Sequence, residues 1–177
     1  MNQTTKQTKI LLIVEDDLDL REILQETLTP VCDRVLLAEN GLEALTLVKN
    51  FPEISAIISD INMPKMSGLE LLKTLRSDFN PVPFIVLTGF GDSNSYQQAV
   101  KLNATDFLAK PYSVNELLEV VRKALEYGVE LTESENRLED LYRESGLSAE
   151  KIEEIKRLKR TVMAMRIEKK IYTREPK

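Results

Sequence analysis

The segment Ile10–Val14 reads ILLIV, a continuous apolar run, and Glu15, Asp16 and Asp17 follow it at once. Short apolar runs of this kind are typical of strands that are buried on both faces of a parallel sheet. Before this segment the chain is polar, and residues 1–8 are predicted to be a disordered leader. A buried strand that ends in carboxylates predicts a sheet with polar residues at one edge.

The same strand pattern recurs along the chain, with helical patterns between the strands. Further strands are predicted at Val35–Ala38, Ala56–Ser59, Phe84–Leu87 and Asp106–Ala109, and helices at Leu18–Leu28, Gly41–Lys49, Leu69–Arg76, Ser93–Lys101 and from Ser113 onward. Regular alternation predicts an α/β fold with right-handed crossovers, in which a five-stranded parallel sheet is doubly wound. Ligands of such sheets bind outside the carboxyl ends of the strands.

Reactive side chains follow four of the predicted strands: Asp16 and Asp17, then Asp60, Thr88 and Lys110. Three carboxylates at one edge repel one another unless a cation neutralises them, and their oxygens suit Mg²⁺. A cation, a lysine and a hydroxyl around a carboxylate make a phosphoryl-transfer site. In that site Asp60 would attack phosphorus, and the metal and Lys110 would neutralise the developing charge. Thr88 could donate a hydrogen bond to a phosphoryl oxygen.

Each of these residues also has an ordinary structural interpretation. The Asp16 and Asp17 pair could cap the following helix, and Asp60 could be a turn residue. Thr88 could be a strand-end hydroxyl and Lys110 a solvated charge. Their joint placement at four strand ends favours the functional interpretation.

The composition excludes several kinds of protein. The chain has no histidine, which excludes histidine metal sites, Ser-His-Asp hydrolysis and a phosphohistidine carried by this chain. The single cysteine, Cys32, excludes an internal disulfide framework and is expected to be a neutral thiol. No apolar run reaches the roughly 20 residues of a membrane span. We therefore expect a cytoplasmic protein that does not contact the membrane.

The charge is distributed unevenly and divides the chain into two parts. Residues 1–150 contain 14 Lys or Arg and 25 Asp or Glu, whereas residues 151–177 contain 10 and 4. We do not expect the acidic body to bind nucleic acid by itself, because its negative charge repels phosphates. The basic C-terminal part predicts a second function in the same chain.

Four motifs together resemble the receiver domain of two-component response regulators. They are the acidic residues 15–17, the segment 60–68 (DINMPKMSG), the residues 87–89 (LTG) and the segment 106–111 (DFLAKP). Each motif is weak alone, but all four in this order are specific. The resemblance covers residues 9–127 and implies a flavodoxin-like, CheY-like fold.

The resemblance assigns roles to the residues at the strand ends. It implies that Asp60 is the phosphoacceptor and that Lys110 pairs with the phosphoryl group. It also implies that Asp17, Asp60 and the backbone carbonyl of Asn62 ligate Mg²⁺, while Asp16 contacts the metal through water. A sensor histidine kinase or a phosphotransfer protein would supply the phosphoryl group. The chain would then be no enzyme in the ordinary sense, since it catalyses only its own phosphorylation and dephosphorylation.

The resemblance also implies a conformational switch. Thr88 and Phe107 resemble the pair that reorients on phosphorylation, although a lone aromatic in a strand is as often a core residue. Phe90 could cover the phosphoryl group and slow its hydrolysis. The Lys110–Pro111 bond is expected to be cis, and Asn103 replaces the usual glycine of a turn, where asparagine tolerates a positive φ.

Residues 128–177 are predicted to be a helical extension with too few apolar residues for a core of its own. The helix from Ser113 would run on through Leu131, Leu138 and Leu141 and turn at Ser145 and Gly146. It would return over residues 148–172 as the second helix of a coiled-coil-like hairpin. The apolar stripe of the second helix consists of Ile155, Leu158, Val162 and Met165. Such a hairpin could form a homodimer or dock a downstream protein.

A nucleic-acid-binding effector is the alternative output and is less favoured. Its binding residues would be Lys156, Arg157, Lys159, Arg160, Arg166, Lys169 and Lys170. Basic helices are more often solvated faces or partners of acidic surfaces, and aromatic residues are nearly absent between these charges.

Overall fold

The structure is a computed structural model that describes residues 7–89 and 93–159. Phe90, with its expected shielding role, and the C-terminal residues from Arg160 onward lie outside the described residues.

Five parallel strands form one sheet in the order β2-β1-β3-β4-β5. The strands are β1 (Ile10–Val14), β2 (Arg34–Ala38), β3 (Ala56–Asp60), β4 (Phe84–Gly89) and β5 (Asp106–Lys110). The predicted doubly wound sheet is therefore confirmed. Because β1 lies between β2 and β3, the crossovers leave β1 toward opposite sides, and a crevice opens beyond the carboxyl ends of β1 and β3.

Helices cover both faces of this sheet: α1 (Leu18–Leu28), α2 (Gly41–Asn50), α3 (Gly68–Ser77), α4 (Ser93–Lys101) and α5 (Val114–Glu144). Pro30 lies in a short 3₁₀ turn that follows α1. Ser67 with Glu70 and Ser113 with Glu116 form capping boxes, which fix the starts of α3 and α5.

The sheet separates two apolar layers, since neighbouring residues of a strand face opposite sides. Leu11 and Ile13 of β1 pack with α1 and α5, whereas Leu12 and Val14 pack with α2, α3 and α4. All five residues of β1 are buried. This explains why β1 is an unbroken apolar run rather than an alternating one.

The first helix of the extension is the continuation of α5, as predicted for the helix that begins at Ser113. α5 continues without a break past residues 127 and 128, where the sequence predicted the domain boundary. Gly128 is buried against the backbone of Ser55 at the start of β3. The first part of the extension is therefore attached to the body of the protein.

The predicted hairpin turn lies where the sequence placed it. Gly146 adopts a φ of 74°, and residues 149–159 form a second helix. Ile152 of that helix is buried, Lys156 pairs with Glu139 of α5, and the Lys159 ammonium lies 5.5 Å from the centroid of the Tyr142 ring. The remainder of the predicted return helix is outside the described residues.

None of the helices in the described part of the chain combines the length and the apolarity that a bilayer crossing requires.

Candidate functional site

Asp60 is the last residue of β3 and lies at the carboxyl edge of the sheet, where it is 9% exposed. Its Oδ1 lies 2.5 Å from Nζ of Lys110. Its Oδ2 accepts a 2.7 Å hydrogen bond from the backbone N–H of Asn62. Both carboxylate oxygens are thus oriented by partners from different segments of the chain.

Lys110 ends β5 and reaches across the pocket to two carboxylates. Its Nζ lies 3.3 Å from Oε2 of Glu15 in addition to its contact with Asp60. Burial alone would lower the pKa of Lys110, but the hydrogen bond and charge of Asp60, together with Glu15, raise it above its ordinary value. Lys110 therefore remains a cation that pairs with both carboxylates.

Glu15 is a site residue that the sequence interpretation passed over. It directly follows β1 and is 2% exposed, so its side chain is among the buried polar groups. Burial raises the pKa of Glu15, the charge of Asp60 raises it further, and Lys110 opposes both effects. The available signal was position: Glu15 is the first residue after the buried strand, ahead of the more conspicuous aspartates.

Asp17 caps helix α1, which is the structural alternative that the sequence left open. Its Oδ1 accepts a 3.0 Å hydrogen bond from the backbone N–H of Leu20, so Asp17 is the N-cap of α1. A helix cap takes the residue just before the first turn, and Asp17 holds that position. The capping interpretation of Asp17 is therefore confirmed, and its predicted role as a direct metal ligand stays a prediction.

Asp16 lies between Glu15 and the cap and is exposed. The buried side chain of Arg21 donates hydrogen bonds to the backbone of residues 15 and 16. Its Nη1 lies 2.5 Å from the carbonyl oxygen of Glu15 and 3.4 Å from that of Asp16. The acidic turn is thus supported by a charged side chain from the next helix.

The loop after Asp60 closes tightly on the strand. The N–H of Gly68 donates a 3.0 Å hydrogen bond to the carbonyl of Ile61, and a Cβ on Gly68 would stand 2.1 Å from the carbonyl oxygen of Asp60. A side chain at Gly68 would displace the backbone of Asp60 itself. This explains the glycine at the end of the segment 60–68.

Thr88 and Phe107 lie on neighbouring strands near the pocket. Thr88 is buried in β4, and its Oγ1 lies 3.2 Å from the carbonyl oxygen of Gly89. Phe107 is half-buried in β5, and its ring centroid lies 4.8 Å from that of Tyr96. The hydroxyl of Thr88 thus bonds to its own strand end and is not bonded to Asp60.

Three smaller expectations agree with the structure. The Lys110–Pro111 peptide is cis, and Asn103 has a φ of 58°. Burial, with the charge of Asp33, raises the pKa of the Cys32 thiol, as expected for a neutral cysteine.

The donors at this edge suit a hard divalent cation such as Mg²⁺. Glu15 and Asp60 both pair with the ammonium of Lys110, and Asp16 adds a third carboxylate next to Glu15. Three carboxylates therefore face one ammonium, and the site carries an excess of negative charge. Oxygen donors of this kind are the ligands that Mg²⁺ prefers. Over the stretches 7–89 and 93–159, no three carboxylates, imidazoles or thiols converge closely enough to form a metal site on their own.

Comparisons with known proteins agree with this geometry. The profile of the response regulator receiver domain matches residues 11–122. The C4-dicarboxylate transport transcriptional regulatory protein DctD of Pseudomonas aeruginosa is 39% identical over 121 residues, which are 68% of this chain and 26% of that protein. A chemotaxis protein CheY homolog of Campylobacter jejuni is 35% identical over 67% of this chain and 93% of its own length.

A solved structure extends the agreement to the fold. The chemotaxis response regulator CheY4 of Vibrio cholerae has a TM-score of 0.59 and 30% identity, over 66% of this chain and 98% of that one. The chain spans about a quarter of DctD and nearly all of the CheY homolog. It belongs to the family of response regulator receiver domains that serve two-component systems.

Proposed function

We propose that this receiver accepts a phosphoryl group on Asp60 and passes the signal to its helical extension. The observation that carries the proposal is the contact between Asp60 and Lys110, with 2.5 Å between Oδ1 and Nζ. A buried carboxylate beside a fixed ammonium is poised as a nucleophile, because the ammonium can neutralise the charge that develops on a transferred group.

The phosphoryl donor is a histidine kinase or a phosphotransfer protein, as membership of the receiver family implies. The donor histidine lies on that partner, because this chain has no histidine. An Asp60 oxygen forms the bond to phosphorus as the P–N bond of the donor's phosphohistidine breaks and the imidazole leaves with the bonding electrons. Lys110 exchanges its contact with Asp60 for one with the phosphoryl oxygens. Thr88 then donates its hydroxyl hydrogen to another of those oxygens.

Asp16, Asp60 and the backbone carbonyl of Asn62 are the groups that would hold Mg²⁺, with Glu15 beside them. Mg²⁺ would supply Lewis-acid stabilisation of the phosphoryl oxygens in such a site. The charge excess at the carboxyl edge of the sheet supports this assignment. Glu15 is buried and paired with Lys110, so it would contact the metal through a water molecule rather than bind it directly.

The test is labelling of the full chain with a small phosphodonor in the presence of Mg²⁺. We expect one acyl phosphate, which base and hydroxylamine release, on the wild-type chain and none on Asp60→Asn. Asp78→Asn is the matched control, because Asp78 is an exposed aspartate at the end of α3. Label that persists in Asp60→Asn, or label on a serine or threonine, contradicts the proposal.

For the output we propose protein–protein interaction through the helical hairpin, first of all in a homodimer. Leu141 on α5 and Leu158 on the second helix are 54% and 60% exposed. Large exposed apolar side chains on two adjoining helices are suited to an interface between chains. Their burial would supply most of the association energy, since surface ion pairs contribute little.

Nucleic-acid binding by the basic helix is the less favoured output. Lys156 pairs with Glu139 and Lys159 lies over the Tyr142 ring, so two of the predicted binding residues already have partners within the chain. Sites that bind phosphates need cations available to the backbone of the nucleic acid. The intramolecular contacts therefore favour the protein-interaction alternative.

Sedimentation tests the homodimer. The double variant Leu141→Glu, Leu158→Glu should be monomeric at concentrations where the wild-type chain associates. Leu42→Glu, on exposed Leu42 of α2, is the control and should behave as wild type. If the wild-type chain stays monomeric with and without phosphodonor, the hairpin docks another protein and the homodimer is wrong. We propose that the chain acts in the cytoplasm, where histidine kinases present their phosphorylated domains.

A further inference from the structure

Tyr96 of α4 and Phe107 of β5 form a tilted aromatic contact, with 4.8 Å between ring centroids and 53° between ring planes. Tyr96 is 51% exposed, and Ala99 is the buried residue of α4. A helix with one small buried residue has little apolar anchorage. The ring contact is therefore one of the contacts that attach α4 to the sheet.

Phe107 and Thr88 lie close together on the same side of the sheet. In the parallel pairing of β4 and β5, Val86 stands opposite Phe107 and Thr88 stands opposite Ala109. Residues opposite one another in a parallel pair share a face, and so do residues two apart on a strand. Thr88 and Phe107 are thus diagonal neighbours, and the small side chain of Ala109 leaves room beside Thr88.

We propose that Tyr96 is a positioning residue that holds Phe107 against α4 in the unphosphorylated chain. The inference rests on the proposed phosphorylation of Asp60 and on the proposed switch role of Thr88. When Thr88 moves toward the phosphoryl group, it vacates space on its face of the sheet, and Phe107 is the neighbouring large side chain that can enter it. The ring contact with Tyr96 must break for that rotation.

The sign of the effect follows from linkage. A contact that exists in one of two states stabilises that state, and a ligand that favours the other state must overcome it. Removing the contact therefore increases the apparent affinity for a phosphoryl mimic. Aromatic pairs of this geometry correspond to a change of about two- to tenfold in an equilibrium constant.

The contact is between rings, and the Tyr96 hydroxyl contributes nothing to it. Phe107 carries no hydroxyl, so no hydrogen bond can join the two side chains. The variant Tyr96→Phe therefore keeps the contact, and Tyr96→Ala removes it. This pair separates the aromatic ring from the polar group of the same residue.

The experiment is titration of the full chain with beryllium fluoride, a phosphoryl mimic, at saturating Mg²⁺. We expect Tyr96→Ala to bind it about two- to tenfold more tightly than wild type and Tyr96→Phe to match wild type. Leu42→Ala, which shortens an exposed leucine on α2, is the control for loss of surface area. Unchanged or weaker binding by Tyr96→Ala overturns the proposal.

A second measurement keeps the test separate from the proposed phosphoacceptor function. Ring-labelled phenylalanine reports the Phe107 rotamer by NMR in the unphosphorylated chain, with Phe107→Leu used to assign its signal. Tyr96→Ala should shift this signal toward the position that beryllium fluoride produces in wild type. If wild type binds no beryllium fluoride, the phosphoacceptor proposal fails, whereas a Phe107 signal that Tyr96→Ala leaves unchanged overturns the role of Tyr96.

Discussion

Gly128 of α5 lies against the carbonyl oxygen of Ser55, so closely that a Cβ on Gly128 would stand 1.7 Å from that oxygen. Ser55 is itself buried and joins the starts of two central strands: its N–H donates a 2.8 Å hydrogen bond to the carbonyl of Ile10, and its Oγ accepts one of 3.2 Å from the N–H of Ile10. Helix α5 thus lies in direct contact with the backbone of Ser55. The helical extension begins as a continuation of the helix that covers the receiver.

Gly128→Ala should destabilise the chain although alanine is the better helix former. Helix propensity favours alanine by about 1 kcal/mol, but the new methyl group would overlap the backbone of Ser55. Forced overpacking of this kind costs about 1–3 kcal/mol, and here the obstacle is backbone rather than a movable side chain. Urea unfolding followed by circular dichroism gives the change in the free energy of unfolding.

Gly89→Ala is the matched control for that substitution. No atom lies within 4 Å of a Cβ built on Gly89, so alanine meets no obstacle there. We expect this variant to match or slightly exceed wild-type stability. A Gly128→Ala chain as stable as Gly89→Ala would mean that α5 does not rest on Ser55 in solution.

The two aspartates after β1 should separate into different roles. Asp17→Ala removes the cap of α1 and should lower the free energy of unfolding by about 1 kcal/mol, with Mg²⁺ affinity retained. Asp16→Ala should leave stability nearly unchanged but weaken Mg²⁺ binding by about tenfold or more. Calorimetric titration with Mg²⁺ measures the second quantity.

Asp19→Ala serves as the reference for both variants, because Asp19 lies in the first turn of α1. It should change Mg²⁺ affinity little. Should Asp17→Ala reduce Mg²⁺ binding as much as Asp16→Ala does, the metal-ligand role of Asp17 would be supported.

The sequence predicted the order and type of every described strand and helix because the apolar runs and caps are local signals. Ile10–Val14 and Ser93–Lys101 agree with the structure at both ends. The site was predicted through Asp60 and Lys110, since each follows a strand. The roles of Glu15 and Asp17 were harder to predict, because a run of three carboxylates does not reveal which one is buried and which one caps the helix.

The sequence predicted that the helix from Ser113 continues to Ser145, as α5 does, but it did not predict why residue 128 is a glycine. Gly128 weakens a helical pattern when it is considered alone, and the change in composition near residue 129 suggested a boundary. The reason for a glycine at residue 128 is a tertiary contact: the helix passes so close to the backbone of Ser55 that a side chain would not fit. Periodicity within one segment carries no information on such a distant contact.

Glu15→Gln should stabilise the metal-free chain most at neutral pH. Burial raises the pKa of Glu15 above its ordinary 4.5. The folded state therefore binds this proton more tightly than the unfolded state, so the associated stability is present below pH 4.5 and is lost as pH rises through the raised pKa. Glutamine remains neutral and avoids that loss.

Urea unfolding in a chelating buffer, at neutral pH and below the ordinary pKa of glutamate, measures this difference. The advantage of Glu15→Gln should be clear at neutral pH and should shrink in acid. Glu53→Gln, at an exposed glutamate, controls for the general loss of one negative charge. An advantage that is equal at both pH values would mean that burial of the Glu15 charge is not its source.

Ile152→Ala should release the second helix of the hairpin without disturbing the receiver. Ile152 is 6% exposed, while Leu158 on the same helix is 60% exposed, so Ile152 is the apolar anchor among the described residues of this helix. Truncation of a buried isoleucine costs about 2–5 kcal/mol. The other contacts of this helix with α5 are weak: they are the Lys156–Glu139 pair and the contact of Lys159 with Tyr142. Without the Ile152 side chain the helix should therefore open more readily than the rest of the protein.

Amide hydrogen exchange should accelerate across residues 149–159 in Ile152→Ala but remain slow in β1 and β3. Leu158→Ala should leave both rates near wild type. Equal acceleration in the strands would show instead that the hairpin and the receiver unfold as one cooperative unit.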